Sequence, residues 1–95
     1  MNALKAFLAN APRGTAARLA ARLGISQVVV SQWVADVDPR PVPAKQRPGI
    51  EQFTEGAVPV EAYDDTGVHW VRVPDEGWPW HADGRPALDI TKEAA

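Results

Sequence analysis

Apolar residues in the first part of the chain recur at the spacing of amphipathic helices. Over residues 3–11 they fall at i, i+3, i+4 and i+7, so we predict a first helix that Asn2 caps and that Pro12 and Gly14 end. A second helix is predicted to follow Thr15, whose side chain suits an N-cap. The inward stripes of the two helices are Leu4, Phe7, Leu8 and Ala11, then Ala16, Leu19, Ala20 and Leu23.

A third helix is predicted directly after a sharp turn. Gly24 supplies the left-handed residue that such a turn needs, and Ser26 is the predicted cap. At about 100° per residue, the helix separates its side chains into two faces. Val29, Val30 and Trp33 lie on the face toward the core. The opposite face carries Gln27, Val28, Ser31 and Gln32. Since uncharged side chains facing water add little to stability or solubility, this face favours recognition of a partner.

The following segment is helical but interrupted. After a proline-rich loop, we predict a fourth helix that begins at Pro43, with Ile50 and Phe53 facing inward and Gly56 ending it. Pro48 removes one intrahelical hydrogen bond, so this helix is expected to kink or to form two short pieces.

Beyond Gly56 the pattern changes. Pro59 is compatible with the start of a short helical turn or with a strand, and the spacing does not decide between them. Residues 65–67 predict a turn, and residues 68–73 predict a strand that has no obvious partner in so short a chain. The proline- and glycine-rich stretch that follows is expected to be irregular and to precede a last extended piece, residues 87–90.

The second and third helices, with the glycine between them, have the pattern of a helix-turn-helix. The small side chain of Ala20 lets the helices touch, Gly24 makes the turn, and the apolar stripes fix the crossing angle. We therefore predict a mainly α fold with a four-helix helix-turn-helix domain in residues 1–56. An extended or irregular segment, residues 57–95, follows as a candidate dimerisation segment.

Composition limits the class of protein. With 95 residues, 45% hydrophobic and 23% charged, the chain fits one small globular domain. It has no cysteine, which excludes disulfides and thiolate metal sites. No apolar run reaches the roughly 18–20 residues of a membrane span. The first residues lack the apolar run of a secretory signal, so we expect a cytoplasmic protein.

The net charge of −2 hides an asymmetry between the two halves of the chain. Residues 1–50 contain seven basic and two acidic residues and carry +5, whereas residues 51–95 contain three basic and ten acidic residues and carry −7. Such a split is expected when one face meets a polyanion. Together with the helix-turn-helix, it predicts binding of the third helix in the major groove of duplex DNA.

The exposed residues of the third helix suit contacts with base edges. The amides of Gln27 and Gln32 match N6 and N7 of adenine, Val28 can pack against a thymine methyl group, and Ser31 can donate to a base or a phosphate. Affinity would then come from contacts to the DNA backbone. The predicted backbone contacts are Arg13, Arg40, Lys45, Ser26 and the amide groups near Thr15.

Other chemistries have weak candidates in the sequence. His69 and His81 are separated by prolines and lack the i, i+4 spacing that places two metal ligands on one helix face. No phosphate-binding glycine loop and no Ser/His/Asp arrangement is apparent. We therefore expect no catalytic, metal or cofactor site.

The segment TAARLAARLGISQVVVSQWV, followed by PVPAKQRPGIEQFTEGAV, resembles the Cro/CI class of phage-type repressors. It is most similar to the small Cro-like and YdaS-type antitoxin-like regulators. The resemblance covers residues 4–58. The matching residues are Val30, Ser31, Gln32, Trp33, Val42, Pro43, Ile50, Glu51, Thr54, Gly56 and Val58.

The resemblance implies operator binding, transcriptional repression and a homodimer, which would use a pseudo-palindromic operator. It also implies that Gln27, Val28 and Gln32 read base edges, with Ser31 close by. Asp36 and Asp38 depart from the glycine or basic residue that the family often carries in the loop after the third helix, which argues against strong backbone contacts there.

A second hypothesis assigns the chain to a different class. As an antitoxin-like or antirepressor module, it would bind a partner protein through the acidic residues 57–90. DNA binding depends on the third helix, whereas this role depends on the C-terminal segment, so the two hypotheses are separable by mutation.

Overall fold

The computed structural model describes residues 2–63 and 68–88. Four α-helices occupy the first part of the chain, and a two-stranded antiparallel sheet follows. The elements are α1 (Ala3–Ala9), α2 (Thr15–Leu23), α3 (Gln27–Trp33), a first 3₁₀ turn (Ala44–Gln46), α4 (Arg47–Phe53), a second 3₁₀ turn (Val60–Ala62), β1 (Trp70–Val73) and β2 (Arg85–Leu88). This confirms the predicted fold class, mainly α with a short extended C-terminal part.

The predicted N-cap of α1 is observed, whereas the predicted N-cap of α2 is not. Asn2 accepts a hydrogen bond from the Lys5 amide at 2.9 Å and caps α1 as predicted. Thr15 is not the cap of α2, because Gly14 takes that position and Thr15 is the first helical residue. The Thr15 hydroxyl is turned back and donates to the carbonyl of Pro12 at 2.6 Å.

The core lies between α2, α3 and α4. Its buried residues are Leu4, Leu19, Ala20, Val30, Trp33, Val42, Ile50 and Val58. Half-buried side chains such as Phe7 and Phe53 pack around it. Val58 follows the predicted domain boundary at Gly56, so residues on both sides of that boundary share one core.

The interruption at Pro48 is confirmed. The first 3₁₀ turn ends at Gln46 and α4 begins at Arg47, which places Pro48 in the first turn of α4, where its missing N–H breaks no helical hydrogen bond. Pro43 caps the 3₁₀ turn and does not begin an α-helix. Past the end of α4, Gly56 has a left-handed φ of 86° and donates its N–H to the Glu51 carbonyl at 2.9 Å.

The C-terminal segment forms a hairpin. The sequence left open whether a helical turn or a strand begins at Pro59. The structure shows a helical turn, because Pro59 directly precedes the second 3₁₀ turn. β1 pairs with β2 in the register Trp70↔Leu88 to Val73↔Arg85. The expectation that residues 68–73 lack a partner within the chain is therefore wrong. The predicted turn at residues 65–67, and the end of the last extended piece, lie outside the described residues.

A buried ion pair fixes the hairpin to α4. Glu51 is fully buried, and its carboxylate accepts two hydrogen bonds of 2.7 Å from the Arg72 guanidinium. It also accepts hydrogen bonds from the Val60 amide and from the indole N–H of Trp78. Arg72 in turn pairs with Glu61 at 2.7 Å and donates to the Gly84 carbonyl. This Glu51–Arg72 pair joins the helical part of the chain to the part after Gly56.

None of the helices within residues 2–63 and 68–88 has the length and apolar character of a bilayer-spanning helix.

Candidate nucleic-acid interface

The α2–α3 pair has the geometry of a helix-turn-helix. Gly24 adopts the left-handed conformation, with φ of 71°, and the Ile25 amide donates to the Ala20 carbonyl at 3.0 Å to close the turn. Ser26 caps α3 by accepting a hydrogen bond from the Val28 amide at 3.1 Å. These contacts are the ones that the sequence predicts for a sharp turn between two packed helices.

The inner face of α3 is held firmly. Val30 and Trp33 are buried in the core, and Val29 is half-buried beside them. At the end of the helix, the Asn2 side chain donates to the Trp33 carbonyl at 2.9 Å and ties α3 to the start of α1. A helix fixed at both ends presents its outer side chains in a defined geometry, which base recognition requires.

The outer face of α3 carries the four side chains that the sequence placed there. All are exposed, and Val28 has 64% of its surface accessible. Within the described part of the chain, none of the three polar side chains makes a hydrogen bond, so their donors and acceptors are available. We call this set the outer face of α3; it consists of Gln27, Val28, Ser31 and Gln32.

The residues predicted to contact the DNA backbone lie in different parts of the structure. Arg13 and Lys45 are exposed, in the loop before α2 and in the first 3₁₀ turn. Arg40 is also exposed, and its amide donates to the Gln32 carbonyl at 2.9 Å, which fixes its backbone beside α3. Ser26 is exposed at the start of α3, where its hydroxyl oxygen already serves as the cap.

Thr15 is the predicted contact that is least accessible. It is buried, and its amide and hydroxyl both donate to the Pro12 carbonyl. The amides of Ala16 and Ala17 make no hydrogen bond with a described residue, so the available N–H groups at the start of α2 belong to these two alanines.

The charges around the interface include pairs that the sequence analysis missed. Lys5 forms an ion pair with Asp36, and this hydrogen bond holds the pKa of the Asp36 carboxyl below its ordinary value of 3.8. One of the two acidic residues that depart from the family pattern, Asp36, is therefore paired with a cation. Arg22 donates to the Gln52 side chain at 2.5 Å and braces α2 against α4.

Arg47 is a second residue whose role the sequence did not indicate. It is buried, its Nε and Nη2 donate to the Val42 carbonyl at 3.2 and 2.9 Å, and its guanidinium lies 4.5 Å from the centre of the Tyr63 ring. The geometry makes Arg47 part of the scaffold behind α3 and not a surface contact. No local pattern signals this, because its partners lie in other segments.

The histidines do not come together in a site. His81 accepts a hydrogen bond from the Asp83 amide at 3.1 Å through Nδ1, which is a local turn contact. Among residues 2–63 and 68–88, no group of three or more histidine and carboxylate side chains has the arrangement of a metal site.

Comparison with known proteins gives one match. A family model described as "Bacterial toxin YdaS" matches residues 8–62, which contain α2, α3, α4 and the second 3₁₀ turn. No curated protein and no solved structure is matched. The resemblance to Cro/CI repressors stays a prediction. Because the match spans more than half of the chain and includes α2 and α3, the protein belongs to the family of the bacterial toxin YdaS.

Proposed function

We propose that the chain is a sequence-specific, double-stranded DNA-binding transcriptional regulator that places α3 in the major groove. The observation that supports this most is the outer face of α3, four exposed and uncharged side chains on a helix whose inner face is fixed in the core. A groove about 12 Å wide accepts such a helix. No catalytic step and no cofactor is part of this proposal.

The chemistry of the outer face suits base recognition. Each glutamine amide carries a donor and an acceptor in one plane, which matches N6 and N7 of adenine, and the exposed Val28 side chain suits a thymine methyl group. These contacts discriminate between bases without the non-specific attraction of a positive charge. Affinity then depends on phosphate contacts by Arg13, Arg40 and Lys45, and on the amides at the start of α2.

A single module of this size makes few base contacts, so we propose that two copies bind a pseudo-palindromic operator. Each copy would read one half-site, and a symmetric pair would double the number of base contacts. The hairpin of β1 and β2 leaves one edge of each strand without a neighbouring strand among the described residues, which offers a surface for pairing.

Removal of either glutamine amide tests the reading role. Gln27→Ala and Gln32→Ala are each expected to weaken binding to a selected operator by about 1–3 kcal/mol and to relax the preference at one base pair. Fluorescence anisotropy on a labelled duplex measures both effects. His69→Ala, at an exposed position before β1, is the control and should bind as the wild type does. Wild-type affinity in both α3 variants would show that these amides do not contact bases.

Removal of a basic side chain tests the phosphate role. Arg13→Ala, Arg40→Ala and Lys45→Ala should each lower affinity for all duplexes by a similar factor, because phosphate contacts carry no sequence information. Each should also reduce the slope of log K against log salt by about one unit. Binding titrations at several salt concentrations give the slope. An unchanged slope combined with a changed base preference would argue against phosphate contact.

The family name and the hairpin surface support a second candidate, binding of a partner protein. The matched family is described as a bacterial toxin. Val71 and Val73 expose 43% and 36% of their surface on the outward side of β1, which is an apolar area suited to a protein contact. Under this candidate, Val71→Ser should reduce capture of a partner protein in pull-down experiments, whereas Gln27→Ala, on α3, should not.

A further inference from the structure

A cavity of about 320 Å³ lies beside the C-terminal end of α3. It is bounded by the first residues of α1, by Trp33, by the proline-rich loop at residues 39–42, and by Arg47 and Tyr63. Its volume is at the lower end of the range of about 300–1,000 Å³ that is typical of small-ligand pockets. The walls come from five separate parts of the chain, and therefore no local sequence pattern indicates the cavity.

The walls combine flat apolar surface with positive charge. Tyr63 and Pro41 supply apolar surface, and Trp33 also lines the cavity with only 3% of its surface accessible. Arg40 and Arg47 supply guanidinium groups, and none of the lining residues within 2–63 and 68–88 is acidic. Arg47 is fixed by its hydrogen bonds to the Val42 carbonyl and by its contact with the Tyr63 ring. A surface of this kind complements an anion that carries an aromatic ring and disfavours a cation.

Arg40 is the group best placed to pair with such an anion. Its side chain is exposed and makes no hydrogen bond or ion pair with another described residue. Its backbone amide is bonded to the Gln32 carbonyl, so the residue stays beside the cavity. A guanidinium in this position can hold a carboxylate through two parallel hydrogen bonds.

Tyr63 adds a second polar group near the cavity. Its hydroxyl is buried and has no hydrogen-bond partner among the described residues. Burial raises the pKa of Tyr63 to about 12, so the hydroxyl keeps its proton at neutral pH and remains a donor. The hydroxyl oxygen has almost no accessible surface, so Tyr63 can meet a ligand through its ring and not through this donor.

We infer that the cavity is a binding site for a small planar aromatic carboxylate. The ring lies against Tyr63 and Pro41, near the buried Trp33, and the carboxylate pairs with Arg40. The site does not include the outer face of α3, but it shares Arg40 with the proposed phosphate contacts. It goes beyond the proposed DNA binding, and its test uses no DNA.

Titration of the full-length protein with 2-naphthoate tests the inference. In ¹H–¹⁵N spectra, the indole N–H signal of Trp33 should shift with saturation, while that of Trp70, on β1, should not. Neutral 2-naphthylmethanol has the same ring without the carboxylate and is expected to bind about tenfold more weakly, because an ionised acceptor strengthens the hydrogen bonds to a guanidinium. Equal affinity for the two compounds would overturn the assignment of a carboxylate site.

Two arginine variants complete the test. Arg40→Gln should weaken 2-naphthoate binding by about tenfold and leave 2-naphthylmethanol binding unchanged. Arg85→Gln removes an exposed arginine on β2, outside the cavity, and should have no effect on either compound. If 2-naphthoate causes no saturable shift at Trp33, or if the two variants behave alike, the cavity is not such a site.

Discussion

Replacement of Arg72 by methionine is expected to destabilise the protein by about 3–5 kcal/mol, because it leaves the buried Glu51 carboxylate without its cation. Glu51 is fully buried and Arg72 supplies two of its hydrogen bonds. Methionine retains the length and apolar body of the side chain, so the loss is mainly electrostatic. Chemical denaturation followed by circular dichroism measures the change in the free energy of unfolding.

Two further variants distinguish the effect of the buried charge on stability from a general loss of packing. The double variant Arg72→Met with Glu51→Gln removes the uncompensated charge and keeps one of the two oxygen acceptors that Val60 and Trp78 use. Because a buried unpaired charge costs more than one lost hydrogen bond, it should be more stable than Arg72→Met alone. Arg85→Met, which breaks the more exposed pair with Asp75 at 3.4 Å, should cost less than about 1 kcal/mol. A double variant as unstable as the single one would show that the charge of Glu51 is not the cause.

The Glu51–Arg72 pair makes the stability of the protein depend on pH in the acid range. Burial acts to raise the pKa of Glu51, but the hydrogen bonds from Arg72, the Val60 amide and Trp78 outweigh it and hold the pKa below its ordinary value of 4.5. A carboxyl group whose pKa is lowered by folding stabilises the native state above its unfolded pKa, and this contribution is lost as the pH falls through the folded pKa. Wild-type stability should therefore decrease below about pH 4.5, and Glu51→Gln should remove this part of the decrease.

Deletion of residues 57–95 is expected to unfold the remaining helices. The deletion removes the buried Val58 and Val60, each worth about 1.5–3 kcal/mol of burial, and it also removes the partners of the Glu51 carboxylate, Val60, Arg72 and Trp78. The sum is comparable to the total stability of about 5–15 kcal/mol of a small domain. We expect loss of the helical circular dichroism signal and of the cooperative thermal transition.

This expectation replaces the one that the sequence suggested, a stable helical fragment that ends near Gly56. A truncated chain that keeps the helical signal and the melting temperature of the full protein would show that the segment after Gly56 does not complete the core. Sedimentation equilibrium of the full chain then measures dimer formation separately.

The helical part of the fold was predictable because its signals are local. Asn2 and Ser26 cap the helices expected of them, Gly24 adopts the left-handed turn, and the 3.6-residue period assigns Val30 and Trp33 to the core. The prediction that Thr15 caps α2 was wrong because Gly14, one residue earlier, takes the cap position. Caps depend on backbone conformation as well as on the side chain.

The connections between distant segments were not predictable. β1 and β2 are separated by an irregular loop, and β2 contains Pro86, a residue type that argues against a strand when it is met in a sequence. Glu51 lies on a helix where a carboxylate is expected at the surface, and only Arg72 and Trp78, more than 20 residues away, explain its burial. Arg47 is buried for a similar reason, since its partner Tyr63 comes from the next segment.

For the candidate site, the sequence predicted which side chains of α3 are exposed, and the structure showed the contacts that hold α3 in place. The outer face of α3 follows from helical periodicity, because an exposed face needs no distant partner. The bracing of α3 by Asn2 and the pairing of Asp36 with Lys5 depend on side chains 31 residues apart in sequence, and no periodicity indicates them.

Selection of duplexes from a random pool, with the wild type and the double variant Gln27→Ala/Gln32→Ala in parallel, tests most directly whether α3 reads DNA sequence. The account predicts that the wild type enriches one motif with adenine at two or more positions, and that the double variant, with an unchanged thermal unfolding transition, loses the preference at those positions. A wild type that enriches no motif, or a double variant that enriches the same motif as strongly, would contradict it.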